Sequence, residues 1–265
     1  MTRLVKDDIK HISRDIKSYD ELYFKQTGKT MAQTACYAYG IKDGIANKKV
    51  AVIPVTSGLG TIECFSESVC AILKHIGADV FVTSKTDVAG LQEAYLKGSD
   101  MVFMADDDVC AAFSLRSGAV SDNGEATGIA FAAALELAMG SSEEKVLVLG
   151  CGPVGSAAAS YLSKKGKKVD LYDVIPGKAE QFRKTQNISV LDERPDLKDY
   201  SYVVDATPNG GWISGDMVRE SAVYSAPGMP LSLTDEALKK VTLIHNPLEL
   251  GIIAMYYDCA FKAQS

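Results

Sequence analysis

The feature that most constrains this chain is a single turn. Val146-Leu147-Val148-Leu149 is an unbroken aliphatic run that leads straight into Gly150-Cys151-Gly152-Pro153-Val154-Gly155 and an Ala-rich stretch. Such a run predicts a strand buried on both faces of a parallel sheet, and G-x-G-x-x-G between a strand and a helix is a dinucleotide fingerprint. Gly150 permits the tight turn, Gly152 lets backbone approach a pyrophosphate, and Gly155 lets the helix pack on the strand. Pro153 and Val154 open that helix, whose first N–H groups face the phosphates. The next strand, 168–172, runs into Asp173, 23 residues after Gly150, where a carboxylate binds both ribose hydroxyls. Val174-Ile175-Pro176 follow without an Arg, so a 2′-phosphate is repelled and NAD is favoured over NADP. The alternative is a ligand-free turn with a surface Asp.

Two alternating series surround this motif. Leu4, Ile9, Ile12 and Ile16, then an Ala-, Met- and Tyr-rich stretch over 30–47, read as helices. From Lys49 the runs 50–55, 64–76, 80–83, 88–96 and 101–105 predict β-α-β-α-β. A helix is predicted from Asn123 or Gly124 to Met139, ending at a hinge, Gly140-Ser141-Ser142. The second series reads as strand 145–149, helix 154–164, strand 168–172, a helix near 178–184, strands 202–205, 222–225 and 242–245, and a C-terminal helix over 247–262. The expected fold is α/β, with N-terminal helices and a small α/β substrate domain over 1–140. An NAD-binding Rossmann domain over 141–245 and a helix over 246–265 returning to the first domain complete it.

In the Rossmann half, Val203-Val204-Asp205-Ala206-Thr207-Pro208 is a strand entering a Pro/Gly loop. Ala206, Thr207 and Pro208 are therefore placed at the carboxyl edge of the sheet, where dinucleotides bind. Ser225-Ala226-Pro227-Gly228 repeats the arrangement as a wall under the nicotinamide. Ordinary turns are the alternative for both.

In the first half, Pro54-Val55-Thr56-Ser57-Gly58-Leu59-Gly60-Thr61 is dense in small and hydroxyl residues, suited to cradling a carboxylate through backbone N–H groups and the hydroxyls of Thr56, Ser57 and Thr61. A helix-capping glycine turn is the competing reading. Asp106-Asp107-Asp108 ends a strand; Asp107 or Asp108 is expected to cap a following helix, and Asp106 to face the cleft. Ser121-Asp122-Asn123 leads into the long helix, with Asn123 placed for hydrogen bonding to substrate or as an N-cap. No matching ligand cluster supports a metal. His11, His75 and His245 share no motif with a Ser or Cys nucleophile, so no hydrolytic triad is expected.

Composition excludes several classes. Lys+Arg 28 against Asp+Glu 34 leaves a net charge of −6 with no basic run, which argues against a nucleic-acid partner. No apolar stretch has the length of a membrane span, and the start resembles neither a signal nor a transit peptide. A soluble, cytoplasmic protein is expected, with six scattered cysteines reduced and mostly buried.

Taken together, Pro54-Val55-Thr56-Ser57-Gly58-Leu59-Gly60, Met104-Ala105-Asp106-Asp107, Asp122-Asn123-Gly124-Glu125-Ala126-Thr127-Gly128 and the Gly150 motif resemble the pyrrolysine synthase (PylD) family over nearly the whole chain. The resemblance implies the last step of pyrrolysine biosynthesis. The substrate is then an isopeptide, lysine joined through its ε-nitrogen to 3-methyl-D-ornithine; its terminal amine is oxidised with NAD, ammonia leaves, and a pyrroline ring closes. It also implies substrate contacts at Leu4, Val55, Ser57, Phe65, Asp106 and Asn123, with Leu4 a lid carried on the N-terminal helix. Asp106 would be the catalytic carboxylate, orienting the amine or acting as a base through water. Glu249 is a further cleft candidate. A homodimer is expected. Two rival readings are a dehydrogenase of the shikimate or methylene-tetrahydrofolate type, whose first-domain Lys would have to be Lys74 or Lys85, and a non-catalytic NAD sensor.

Overall fold

A computed structural model describes residues 4–42 and 47–264. Two compact units emerge. The first runs up to Phe24, resumes over Lys29–Thr127 and returns with Leu248 onward; the second comprises Lys25–Gly28 and Gly128–Pro247. The division falls inside the long helix, between Thr127 and Gly128, and not after it at Gly140, where the Gly-Ser signal had been read as a hinge.

The first unit opens with α1 (Lys6–Ile9), α2 (Ile12–Thr27) and α3 (Met31–Tyr39). Ile9, Ile12 and Ile16 are buried as their spacing requires. Thr30 caps α3, accepting the Gln33 N–H, and Gly40 ends it in the left-handed region at φ 68°. The helix thus stops well short of Asn47, and the rest of the expected stretch lies partly outside the described residues. Then follow β1 (Lys49–Ile53), α4 (Phe65–His75), β2 (Asp79–Val82), α5 (Asp87–Leu96) and β3 (Met101–Ala105), the predicted β-α-β-α-β. The helix expected after the Asp triplet does not form. Instead β4 (Cys110–Ser114) and β5 (Val120–Asp122) fold back antiparallel, giving a sheet of order β2-β1-β3-β4-β5. Asp106 turns the chain by accepting the N–H groups of Asp108 and Val109, so the acids make a hairpin and cap no helix.

The long helix α6 (Asn123–Met139) is followed by β6 (Val146–Leu149), α7 (Pro153–Lys164), β7 (Val169–Tyr172), β8 (Ile188–Val190), β9 (Tyr202–Asp205), β10 (Val223–Ser225), α8 (Asp235–Leu238), β11 (Thr242–Ile244) and α9 (Glu249–Lys262). Residues 130–135 of α6 are all essentially buried, which explains why it shows no polar stripe. The second sheet, β11-β10-β9-β6-β7-β8, is parallel throughout. Its order reverses at β6, so the switch point lies between β6 and β9. Leu147, Leu149, Val203 and Tyr224 form its core on one face. Only a 3₁₀ turn, Glu180–Phe182, stands where a helix near 178–184 was expected, and β8 carried no distinct pattern in the sequence. α9 belongs to the first unit, where it packs on α3, α4, β4 and β5.

Candidate functional site

In the second unit the glycine turn has the geometry its sequence demands. Gly150 sits at φ 90°, where a Cβ would come within 2.9 Å of the Ala206 carbonyl oxygen. A Cβ on Gly155 would overlap the Gly150 carbonyl, whereas nothing lies within 4 Å of one on Gly152. The glycines that must be bare for packing are thus Gly150 and Gly155, and Gly152 borders open space, a cradle suited to a pyrophosphate. Gly152 caps α7 and Pro153 fills its first position, where a missing N–H costs nothing, so Val154 and Gly155 present the first N–H groups.

Asp173 closes this turn. Its Oδ2 accepts the Cys151 N–H at 2.6 Å and its Oδ1 the Ile175 N–H at 2.8 Å. Lys178 acts electrostatically on Cys151, so a cation lies near the turn although no Arg follows Asp173 directly.

Beyond β9, the Ala206 N–H donates to Leu149 O at 2.9 Å, holding the 206–208 loop over the turn. The Thr207 hydroxyl donates to Asp205 Oδ1 at 2.7 Å and accepts from Trp212 Nε1 at 3.3 Å. Its side chain is committed within the protein, so Thr207 shapes the loop chiefly through its backbone. Asp205 itself is 1% exposed and also takes the Ser232 hydroxyl and the Thr207 N–H. Burial pushes its carboxyl above the usual carboxylate range, against the pull of these donors. The Ala226 carbonyl accepts from His245 Nδ1 at 2.6 Å, and burial holds that imidazole below its usual range.

In the first unit a pocket opens at the carboxyl ends of β1 and β3. Ile53, Pro54, Val55, Ile62, Phe65 and Ala105 make its apolar walls; Gly60, Thr61, Ser66 and Asp106 complete it. Val55, Phe65 and Asp106 of the predicted contacts therefore meet. The backbone N–H groups of Val109 and Asp108 hold the Asp106 carboxyl below the usual carboxylate range, so it is an anion at neutral pH and a weak base.

Two acids pin the loop that lines the pocket: Asp107, expected as a helix cap, and Asp87 at the start of α5. Asp107 Oδ2 accepts the Leu59 N–H at 2.7 Å. Asp87 accepts both the N–H and the hydroxyl of Thr56, which removes that hydroxyl from the expected carboxylate donors. Ser57 is exposed on the same loop and is not among the lining residues.

Leu4 is half-buried and precedes α1, so it lies on an extended segment and not on the helix. That segment is tied beside the pocket's helix: Lys6 pairs with Glu63, and the Ser68 hydroxyl donates to Ile9 O at 3.2 Å. Asn123 begins α6, with its Oδ1 accepting from Thr127 Oγ1 at 3.2 Å. Gly251 of α9 packs directly on it: a Cβ there would stand 3.2 Å from Asn123 Oδ1. Glu249, two residues earlier, is 3% exposed, and burial raises its carboxyl above the ordinary range. Asn123 and the start of α9 are thus brought together, though neither lines the pocket. Lys74 and Lys85, the lysines a shikimate-type site would need, are exposed and outside the lining. Among the described residues no three metal-ligating side chains converge.

Comparison with known proteins accords with this architecture. Solved structures of similar fold include shikimate 5-dehydrogenase from Thermus thermophilus in complex with shikimate, at 17% identity and TM-score 0.51 over 81% of this chain and 91% of that one. Quinate dehydrogenase from Corynebacterium glutamicum in complex with NAD is another, at 14% identity and TM-score 0.53 over 82% and 94%. Residues 8–121 match the family model described as pyrrolysine biosynthesis protein PylD, N-terminal domain. A curated relative, the pyrrolysine synthase of Methanosarcina acetivorans, is 33% identical over 261 residues, 97% of this chain and 99% of its own length. The chain belongs to the PylD family.

Proposed function

We propose that this protein oxidises the terminal amine of L-lysine-Nε-3-methyl-D-ornithine with NAD, releasing ammonia and yielding pyrrolysine. The observation that carries the reading is Asp106, an exposed carboxylate that accepts two backbone N–H groups and stands in the lining of a pocket whose other walls are mostly apolar. An apolar pocket with one fixed negative charge selects a ligand with aliphatic length and one cationic end.

Asp106 orients the protonated amine through a charge-assisted hydrogen bond. Its lowered basicity makes it a poor final proton acceptor, so it positions the nitrogen and the ammonium proton passes to solvent, which reaches the exposed Asp106; desolvation by Val55, Ile62 and Phe65 lowers the ammonium pKa against the opposing pull of the Asp106 charge. Gly150, Gly152 and the start of α7 hold the cofactor's pyrophosphate, Asp173 its adenosine ribose, and the 206–208 and 226–228 loops wall the nicotinamide end. A bound nicotinamide cofactor would supply a hydride acceptor for the amine-bearing carbon; once the amine is deprotonated, the resulting iminium would be hydrolysed to aldehyde and ammonium, and the second amine would close the ring with loss of water. Leu4, tied down through the Lys6–Glu63 pair, shields that imine from bulk water.

The test is to mix the purified chain with NAD and the isopeptide, following reduced-nicotinamide absorbance and product mass together. Growth at the reduced-cofactor band with a mass loss of ammonia plus two hydrogens is expected. Cofactor binding without turnover on this substrate would refute the reading.

A further inference from the structure

The pocket of the first unit contains a hydroxyl that the roles assigned above leave unused. Ser66 stands in the first turn of α4 and in the pocket lining, and is only 9% exposed. Among the described residues its hydroxyl has no hydrogen-bond partner, whereas the Ser68 hydroxyl two positions on donates to Ile9 O. The unpartnered hydroxyls of Ser99 and Ser121 are sealed inside the fold; Ser66 keeps surface, and that surface opens on the pocket. A buried polar group without a partner calls for one.

The backbone around it is in the same condition. Cys64, at the cap position of α4, sits at φ 68° and makes no side-chain cap. The Phe65 N–H donates to Ile62 O at 3.1 Å and the Ser68 N–H to Cys64 O at 2.9 Å, but the N–H groups of Ser66 and Glu67 find no acceptor among the described residues. The helix start therefore offers one hydroxyl and two N–H donors, and Asp106 stands in the lining of the same pocket.

We propose that the start of α4 is the second recognition point of this pocket, where Ser66 and the free N–H groups of Ser66 and Glu67 hold the isopeptide carbonyl oxygen while Asp106 holds the terminal ammonium. The proposal rests on the substrate reading above and deepens it: an ornithyl group carries an ammonium at one end of a short aliphatic chain and a carbonyl at the other, matching an anion and a donor cluster separated by apolar walls. Glu63, paired with Lys6, and Glu67 put negative charge at this helix start, so a neutral amide oxygen suits it better than a carboxylate. Ser66 is thus a specificity-determining residue, fixing which carbon of the chain lies beside Asp106.

The experiment is a calorimetric titration of the full chain, without cofactor, with D-ornithinamide and with 1,4-diaminobutane, which keeps both amines and lacks the carbonyl. The wild-type protein should bind D-ornithinamide at least about tenfold more tightly. Ser66→Ala should weaken D-ornithinamide about five- to tenfold and leave 1,4-diaminobutane unchanged, while Asp106→Asn should weaken both. Equal affinities of the wild type for the two ligands would overturn the proposal, and that comparison stands even if a variant does not fold. Equal losses of both ligands in Ser66→Ala would also overturn it, leaving Ser66 a packing residue, and tighter binding of D-ornithine than of its amide would overturn the choice of a neutral oxygen. Binding of neither ligand would instead refute the underlying reading of the pocket as an amine site.

Discussion

In the second unit the proposed cofactor cradle is nearly contiguous: one strand, one glycine turn and one helix supply its floor, and a second strand end supplies its wall. In the first unit the pocket draws on the ends of β1 and β3, the 54–62 loop and the start of α4, and is braced by acids from two further turns. A local site is fixed by backbone conformation, and two of its glycines, Gly150 and Gly155, leave no room for a Cβ. An assembled site is fixed by side-chain hydrogen bonds, and its residues are common types whose role depends on which neighbour they meet.

The largest expected effect strikes the local site. Gly155→Ala puts a methyl group into the Gly150 carbonyl, costing about 1–3 kcal/mol in packing. Cofactor affinity should fall at least about tenfold by calorimetry, with the melting temperature lowered as well. An unchanged affinity would mean that the turn is a structural one.

Asp106→Asn probes the assembled site. Asn can still accept the Asp108 and Val109 N–H groups, so the hairpin turn should survive while the charge is lost. We expect kcat/KM for the isopeptide to drop about ten- to a hundredfold, as for loss of a charge-assisted hydrogen bond, with NAD affinity unchanged. Equal losses in both would merge the two sites into one and break the comparison.

Glu249 sharpens it through pH. Its carboxyl is raised by burial, so the folded state holds that proton more tightly than the unfolded chain does. The stability this contributes is complete below the unfolded value of about 4.3 and is lost as pH rises through the higher folded value. Glu249→Gln should therefore be more stable than the wild type at neutral pH and show a flatter stability profile between mildly acidic and neutral pH in denaturant titrations. A steeper profile would contradict the sign.

Smaller still, Asp107→Ala leaves the Leu59 N–H without its partner and should cost about 1 kcal/mol by thermal unfolding. Lys6→Ala removes an exposed pair with Glu63 and should raise the isopeptide KM by under about threefold, an effect that added salt reproduces in the wild type.

The same contrast explains what the sequence made legible. The Gly150 motif, the β-α-β series and the buried ends of Val146–Leu149 were readable because each follows from local pattern. The hairpin after Asp106 was not, because three acids after a strand signal a helix cap and a tight turn equally well. Only the pairing of β3 with β4 decides between them. Asp87 stood unremarked at the start of its helix until folding carried it to Thr56, and Asp205 resembled any strand-end residue until Ser232 arrived from 27 positions away. Gly140-Ser141-Ser142 looked like a boundary by composition, yet the units part inside α6, where the helix passes from one to the other without a break.

The central claim is that the oxidised atom is the carbon bearing the terminal amine. The direct measurement uses isopeptide carrying two deuterium atoms at that carbon, incubated with the protein and NAD, with reduced cofactor and product analysed by mass. One deuterium in the reduced cofactor and one retained in the ring product is the predicted result. Both deuterium atoms remaining in the product, with unlabelled reduced cofactor, would place the oxidation elsewhere and contradict the account.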